Sequence, residues 1–542
     1  MLRPVVAVLA IAVGLAATAP IASAQAPGST VRPAGALVEP ESYDRPPPGR
    51  SMTAREALAI AAAVPKVRAV REAGPLAYAR AYLAEDGRWQ LSWFLPPSPG
   101  EPRREEIAEV IVRDRDRRVL EAWTGVQVAW PMARGYPGQF GRSVNAPWVW
   151  AGLCLLFLLP FARRPLRLLH LDLAVLLAFS VSYALFGAAE LALSVPSAYP
   201  LLGYLLVRMV VVARRPPAPP RLLVGPGFLL LAIAFLAAFR VALNVTDGNV
   251  IDVGYASVIG ADRLTGAGPL YGAFPPDNPH GDTYGPALYA AYAPFELLLP
   301  WSGGWGDLPA AHAASIAFDL GCAALLWLLG RRLRGQELGL LLAYLWMTYP
   351  FTLMVANSGS NDALVALLVL AAVLAASRPA ARGALVALAG LTKLAPLALA
   401  PLFLAHRPRR LLATGAAFAA VLVVALAPFD LGVLRDRTLG FQADRDSPFS
   451  VWGLYELPSA LQSAAQAAAA AFALAVAFAR PAGTAALAAL AAAVLIALQL
   501  VVDHWFYLYL VWFAPLVWVA LLTPPGGGSA RSSRPAAAPT PG

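Results

Sequence analysis

From Trp148 onward the chain is a succession of apolar runs parted by short polar breaks, many of them carrying arginine. Eleven runs read as membrane crossings: 147–162, 168–189, 199–213, 226–243, 309–330, 336–354, 361–376, 411–428, 456–478, 483–501 and 506–522. Each approaches the ~17–25 apolar residues needed to span hydrocarbon, the shortest only marginally. A further run, 383–405, has Arg382 at one end and Arg407, Arg409 and Arg410 at the other, and is interrupted by Lys393 and Pro396. One crossing there would leave arginines on both sides, so the pattern predicts a helical hairpin with Lys393 near its tip.

One stretch breaks the rhythm. Residues 244–308 form a long polar interruption rich in Gly, Pro and Tyr, holding Asp252, Asp282 and His280. Connectors between membrane helices are short, and a loop this long usually has a function.

The N-terminal pattern is different. Residues 1–24 have one early arginine, an apolar core and Ala22-Ser23-Ala24, the pattern of a cleavable signal peptide. Residues 25–50 read as a Pro-, Ser- and Gly-rich linker, and 51–132 as a small α+β module outside the cytoplasm. Its helix starts after Ser51-Met52-Thr53, and two hairpins follow, turning near Asp86-Gly87 and at Asp114–Arg117. This module resembles the PepSY-like domains found outside bacterial membranes and reads as a binding or regulatory element. The fold class expected is a mainly α, polytopic membrane helical bundle with this α+β domain at its N-terminus. Residues 147–225 supply additional membrane helices, 226–522 the main membrane domain, and 523–542 a low-complexity cytoplasmic tail.

Composition agrees. Only 14% of the 542 residues are charged and 58% are hydrophobic, against about 25% charged in soluble domains. The net charge of +10 needs no nucleic-acid partner, because most arginines outside the N-terminal region sit in short clusters between apolar runs, as topology signals do. Lysine occurs only at positions 66 and 393. Arginine dominance with heavy Ala and Pro usage points to a bacterial inner-membrane protein from a GC-rich genome. Cys154 and Cys322 lie within apolar runs and read as buried thiols.

Counting arginines inward places the 244–308 stretch outside the cytoplasm. Of the arginine clusters between apolar runs, only the group Arg435, Arg437 and Arg445 then falls on an outer loop, against the positive-inside rule. With them on that face gather Asp252, Asp282, Tyr284, His280, Arg240, Asn357, Asn361, Asp362, Gln442, Asp503, His504, Tyr507 and Tyr509. Ionisable groups at such depths are functional candidates. A carboxylate facing a partly dry cavity can take the proton of a hydroxyl nucleophile, and arginines with a histidine can hold a departing phosphate. The alternatives stay open at this stage. Asp282 suits helix capping as well as substrate or metal contact, Asn357 and Asn361 suit helix caps, and the arginines have Asp436, Asp444 and Asp446 as neighbours. A divalent ion shared by Asp252 and Asp282 is the one cofactor the residues leave open.

Four motifs in order carry a resemblance. They are Asp252-Val-Gly-Tyr255 with GAGPLYG and GDTYGPALY, then SGSND at 358–362 with AGLTKLAPLALAP at 389–401, then QADRDSPFSVWG, then DHWFYLYL. Together, over roughly residues 226–522, they resemble GT-C membrane glycosyltransferases, in detail glycosyltransferase family 87. The resemblance implies an inverting hexosyl- or mannosyltransferase that moves sugar from a polyprenyl-phosphate donor to a glycan, glycolipid or protein acceptor outside the cytoplasm. It implies Asp252 as the base, with Asp247 an alternative because the loop register is open. The substrate contacts expected are Asp282, Tyr284, Lys393, Arg435, Arg437, Arg445, His504 and Tyr507. One departure is Tyr284-Gly285-Pro286, where Tyr-Pro-Pro is more frequent. Two rival readings are a lipid-linked sugar carrier or flippase, and an envelope sensor. The lack of a convincing internal repeat, with charges on one face, counts against transport.

Overall fold

The computed structural model describes residues 37–523 except 85–86, 97–104, 136–139, 164–166, 267, 444, 446, 480 and 482. The expected signal peptide, most of the linker's first half and nearly all of the tail lie outside the described residues. The chain divides into two units.

The smaller unit holds the described residues of Ala26–Gln139 together with Ala184–Leu191. Helix α1 (Ala54–Ala62) begins at a capping box in which Thr53 and Glu56 satisfy each other's backbone amides. The expected single helix is two, because Pro65 cannot continue α1 and instead opens α2 (Pro65–Ala73). Four strands follow, β1 (Tyr78–Leu83), β2 (Arg88–Phe94), β3 (Glu106–Arg113) and β4 (Val119–Thr124), in an antiparallel meander of order β1-β2-β3-β4. Alternate residues Trp89, Leu91 and Trp93 of β2 and Ala108, Val110 and Val112 of β3 face Met52, Ala57, Ala61 and Val67 in one core. Asp114 joins the helix entry to the sheet, accepting from Ser51 N at 2.6 Å, Met52 N at 3.1 Å and Trp89 Nε1 at 2.9 Å.

The larger unit is helical: α3 (Pro147–Leu158), α4 (Leu168–Gly187), α5 (Leu191–Arg214), α6 (Pro226–Asp247), α7 (Asp252–Thr265), α8 (Pro286–Leu298) and α9 (Pro309–Arg334). Then come α10 (Gln336–Thr348), α11 (Pro350–Asn357), α12 (Asp362–Leu374), α13 (Pro379–Thr392), α14 (Ala400–Ala405), α15 (Leu411–Leu426), α16 (Ser459–Ala477), α17 (Thr484–Gln499) and α18 (Leu510–Leu522). Among the described residues six helices are long and apolar enough to cross a membrane, and α10 with α11, bent by 61° before Pro350, makes a seventh span if counted as one. Seven of the expected eleven crossings fall on these, and the other four fall on shorter apolar helices of fewer than 18 residues.

Three local expectations change. The run at 199–213 belongs to a longer helix, α5, that starts at Leu191. The 244–308 stretch is not an open loop, since α7 and α8 lie within it. The 383–405 run does break at Lys393: α13 ends there and a 3₁₀ turn, Ala395–Leu399, leads into α14.

Several buried charges in the helical unit are paired, as low-dielectric surroundings favour, whereas buried Arg382 is held by neutral groups, Ala376 O and Thr414 Oγ. Arg208 is bidentate to Asp172 at 2.8 and 3.0 Å. Arg240, expected among the outer-face candidates, is buried against Asp319, which Trp346 Nε1 also contacts at 2.9 Å. That group is internally satisfied and holds α6, α9 and α10 together.

Candidate active site

The site grows from a crossing of two backbone segments. The turn between α11 and α12, Ser358–Asn361, runs beside the strand-like entry to α7. Asn249 N donates to Asn357 O and Ile251 N to Ser358 O, both at 3.0 Å. Gly254 lies so near this turn that a Cβ on it would stand 2.5 Å from Gly359 O. Asn357 and Asn361 were expected as helix caps, but they act as crosslinks. Asn357 Nδ2 donates to Phe140 O at 2.9 Å, and Asn361 Nδ2 to Ser257 Oγ at 3.1 Å. Tyr255 stacks on Trp305 at 4.8 Å, and Trp305 Nε1 donates to Val250 O. These contacts set Asp252 at the first turn of α7, where the helix dipole favours an anion.

Asp252 is solvent-accessible but crowded by protein. Its carboxyl is raised above the usual carboxylate range, first by desolvation. The Val253 N–H and the charges of Arg445 and Lys393 pull in the opposite direction without cancelling the rise. Asp247, the alternative base, is instead tied to the backbone by Ser143 N at 2.6 Å.

Lys393 emerges where α13 stops and meets Asp362 at the start of α12, Nζ to Oδ1 at 2.6 Å. Trp512 Nε1 donates to the same oxygen at 2.9 Å, and Ser360 Oγ donates to Oδ2. Three rings surround the ammonium, Tyr284 at 5.6 Å and Tyr509 and Trp512 at 5.4 Å, each within cation–π range. The Asp362 carboxylate anchors Lys393, a partner that spacing alone gave no means of assigning.

His504 and Arg445 complete the group. Arg445 Nη2 lies 3.2 Å from His504 Nε2. A guanidinium has no acceptor, so Nε2 must accept, which puts the imidazole proton on Nδ1, facing Ser447 Oγ at 2.9 Å. The neutral ring follows. Desolvation, then the charges of Arg445 and Lys393, hold its pKa well below the ordinary histidine value. His504 therefore orients Arg445 and does not itself supply a cation. Among the described residues no carboxylate lies within ion-pair distance of Arg445.

Other sequence-picked residues stand elsewhere. Asp282 was read as a cap or a substrate or metal contact. It is buried and accepts from Arg437 Nε at 2.7 Å and Nη2 at 2.6 Å and from Gly272 N at 2.6 Å. Helix α8 has no side-chain cap, and both Asp282 oxygens accept hydrogen bonds from the protein. Arg437 is thereby a clamp between the two loops, beside His280 stacked on Phe441 at 5.1 Å. Arg435 pairs with its neighbour Asp436 at 2.8 Å in the open. Tyr507 turns away into an aromatic cluster, its hydroxyl 2.7 Å from Ser182 Oγ and from Ser194 Oγ. Two residues on, Tyr509 faces Lys393 and His504 instead. Asp503 accepts from Gln462 Nε2 at 2.7 Å. Among the described residues no group of three His, Cys, Asp or Glu side chains is arranged to hold a metal.

The Gly285 departure has a steric reason. Its φ of −74° suits any residue, but a Cβ there would sit 2.0 Å from Leu391 O. Gly285→Ala is expected to force the turn carrying Tyr284 away from α13, at about 1–3 kcal/mol or more, the usual cost of overpacking. Thermal unfolding of the purified protein checks this, and an unchanged melting temperature would refute the close approach.

Residues 283–502 match the family described as Glycosyltransferase family 87. No curated protein and no solved structure matches the chain. The match supports transferase activity in a glycosyltransferase domain set among apolar helices. It contains Tyr284, Lys393, Arg437 and Arg445, while Asp252 lies before it and His504 just after.

Proposed function

We propose that the protein is an inverting membrane glycosyltransferase that moves a hexose, mannose being one candidate, from a polyprenyl phosphate to a hydroxyl of a cell-envelope acceptor. The acceptor is a glycan, glycolipid or protein outside the cytoplasm of a bacterium, and the α+β module lies on that same side of the inner membrane. One observation carries the reading: three distant segments meet, with Lys393 5.4 Å and His504 6.3 Å from the Tyr509 ring, Arg445 3.2 Å from His504, and the charges of both cations acting on Asp252. A base and two cations at one site are the two halves that transfer from a lipid phosphate requires.

Asp252 takes the proton of the acceptor hydroxyl as its oxygen attacks the anomeric carbon. The bond from that carbon to the phosphate oxygen breaks on the opposite face, and its electron pair leaves with the phosphate. Arg445, held by His504, receives the new charge, with Lys393 adding its field. A raised carboxyl suits this work, because a stronger base accepts the proton more readily once it is ionised. Desolvation at the site strengthens the attraction between the leaving phosphate and both cations.

The test uses the purified full chain in lipid nanodiscs with a polyprenyl-phosphate hexose of known anomeric configuration and an envelope glycan fraction. The expected result is a product of the opposite configuration together with free polyprenyl phosphate. Retained configuration would overturn the mechanism. Movement of intact donor across vesicles with no transfer would favour the carrier reading.

A further inference from the structure

We propose that Tyr284 and Tyr509 are the pair that recognises the sugar, their phenol groups hydrogen-bonding the hydroxyls of the transferred hexose. The proposal rests on the transferase reading and goes beyond it by naming the residues that read the sugar rather than the phosphate.

The two rings lie over one ammonium, Lys393 Nζ being 5.6 Å from the Tyr284 ring and 5.4 Å from that of Tyr509. Both are held from behind. Tyr509 stacks on Trp512 at 4.4 Å and 26°, and the indole N–H of Trp512 is bound by Asp362. Tyr284 is pinned by its main chain, where its carbonyl accepts from the Tyr271 hydroxyl at 3.0 Å and its amide donates to the Tyr289 hydroxyl at 3.4 Å. The ring of Tyr509 also lies 6.3 Å from that of His504, next to Arg445.

What sets the pair apart is the state of their hydroxyls. The neighbouring polar groups are spent on the protein: Tyr289 on Gly281 O, Tyr271 on Tyr284 O, Tyr507 on two serines, Asp362 on three donors. The Tyr284 and Tyr509 hydroxyls find no hydrogen-bond partner among the described residues, and neither is sealed from solvent. Two rigidly backed phenols, each both donor and acceptor, thus lie within electrostatic reach of Asp252 and Arg445. A hydroxyl-rich ligand whose anomeric carbon must lie between Asp252 and the phosphate is what such groups complement. Sites built to hydrogen-bond a substrate hydroxyl discriminate strongly against a ligand that lacks it.

Tyr509→Phe and Tyr284→Phe remove only the hydroxyl, keeping the stack on Trp512 and the rings over Lys393. The measurement is the affinity of the full chain in nanodiscs for decaprenyl-phosphate hexose and for bare decaprenyl phosphate. Wild type is expected to prefer the hexosyl lipid, and each Phe variant to lose roughly 3- to 10-fold of that preference, the worth of one hydrogen bond. Binding of the bare lipid and the melting temperature should stay unchanged. Equal weakening of both lipids, no change in either, or a wild type without preference would overturn the proposal. A preference lost in the variants of a protein that transfers nothing would sink the transferase reading and leave the pair standing. Sugar transfer with the preference intact in both variants would do the reverse.

Discussion

Asp252→Asn is expected to slow sugar transfer by roughly 10²–10⁴-fold, the usual worth of a positioned general base, while the donor lipid still binds. The amide keeps the size of the carboxylate and its place at the head of α7, but it cannot take a proton. The pH profile adds an independent readout. A base works only when ionised, and the Asp252 carboxyl is raised above the ordinary value by desolvation. Activity should therefore fall as pH drops through a point above the ~3.9 of an unperturbed aspartate, and the residual activity of the Asn variant should lose that acidic limb. His504 is already neutral, its pKa held far below the ordinary value, so it adds no limb near neutrality. An undiminished rate in the Asn variant would remove Asp252 from the mechanism.

The second large effect is on stability. Lys393→Met should destabilise the protein by about 3–5 kcal/mol, because it strands a buried carboxylate. The side chains of Asp362 and Lys393 are 1% and 10% exposed, so water cannot replace the lost ammonium. Trp512 and Ser360 would remain as neutral donors to Asp362, which does not balance its charge. Adding Asp362→Asn should recover most of the loss, since removing both charges costs far less than removing one. Thermal unfolding of the single and double variants measures this coupling. A Lys393→Met protein as stable as wild type would show that the pair contributes nothing to the fold.

The recoverable part of the site followed from local rules. Lys393 and Pro396 inside an apolar run predicted a break, and α13 ends just before that lysine, since Pro396 has no N–H to continue the helix to Thr392 O. The arginine count singled out the 435–445 segment without distinguishing its members. Arg435 meets the adjacent Asp436, Arg437 meets Asp282 from a segment more than a hundred residues away, and only Arg445 reaches the Asp252 group. Charge type is visible in a sequence, but the partner that cancels it is not. The choice of Tyr507 failed for a related reason. In FYLY both tyrosines are equally aromatic, and the short 3₁₀ turn at Tyr507–Tyr509 points one toward Ser182 and Ser194 and the other toward Lys393.

By itself the sequence determined that this is a chain of apolar helices with a small α+β module, because hydrophobic period, run length and breaker residues act within a few turns of chain. It also picked out Asp252, Lys393 and the 435–445 arginines, because charge in an apolar setting is costly wherever it falls. Only the tertiary structure decided which of those charges meet. Burial favours a hydrogen-bonded partner for each charge, and which partner that is depends on what the packing brings within about 3 Å. Asp282, Arg437 and Asp362 are consumed in that way, while Arg445 is held by His504 and bears on Asp252.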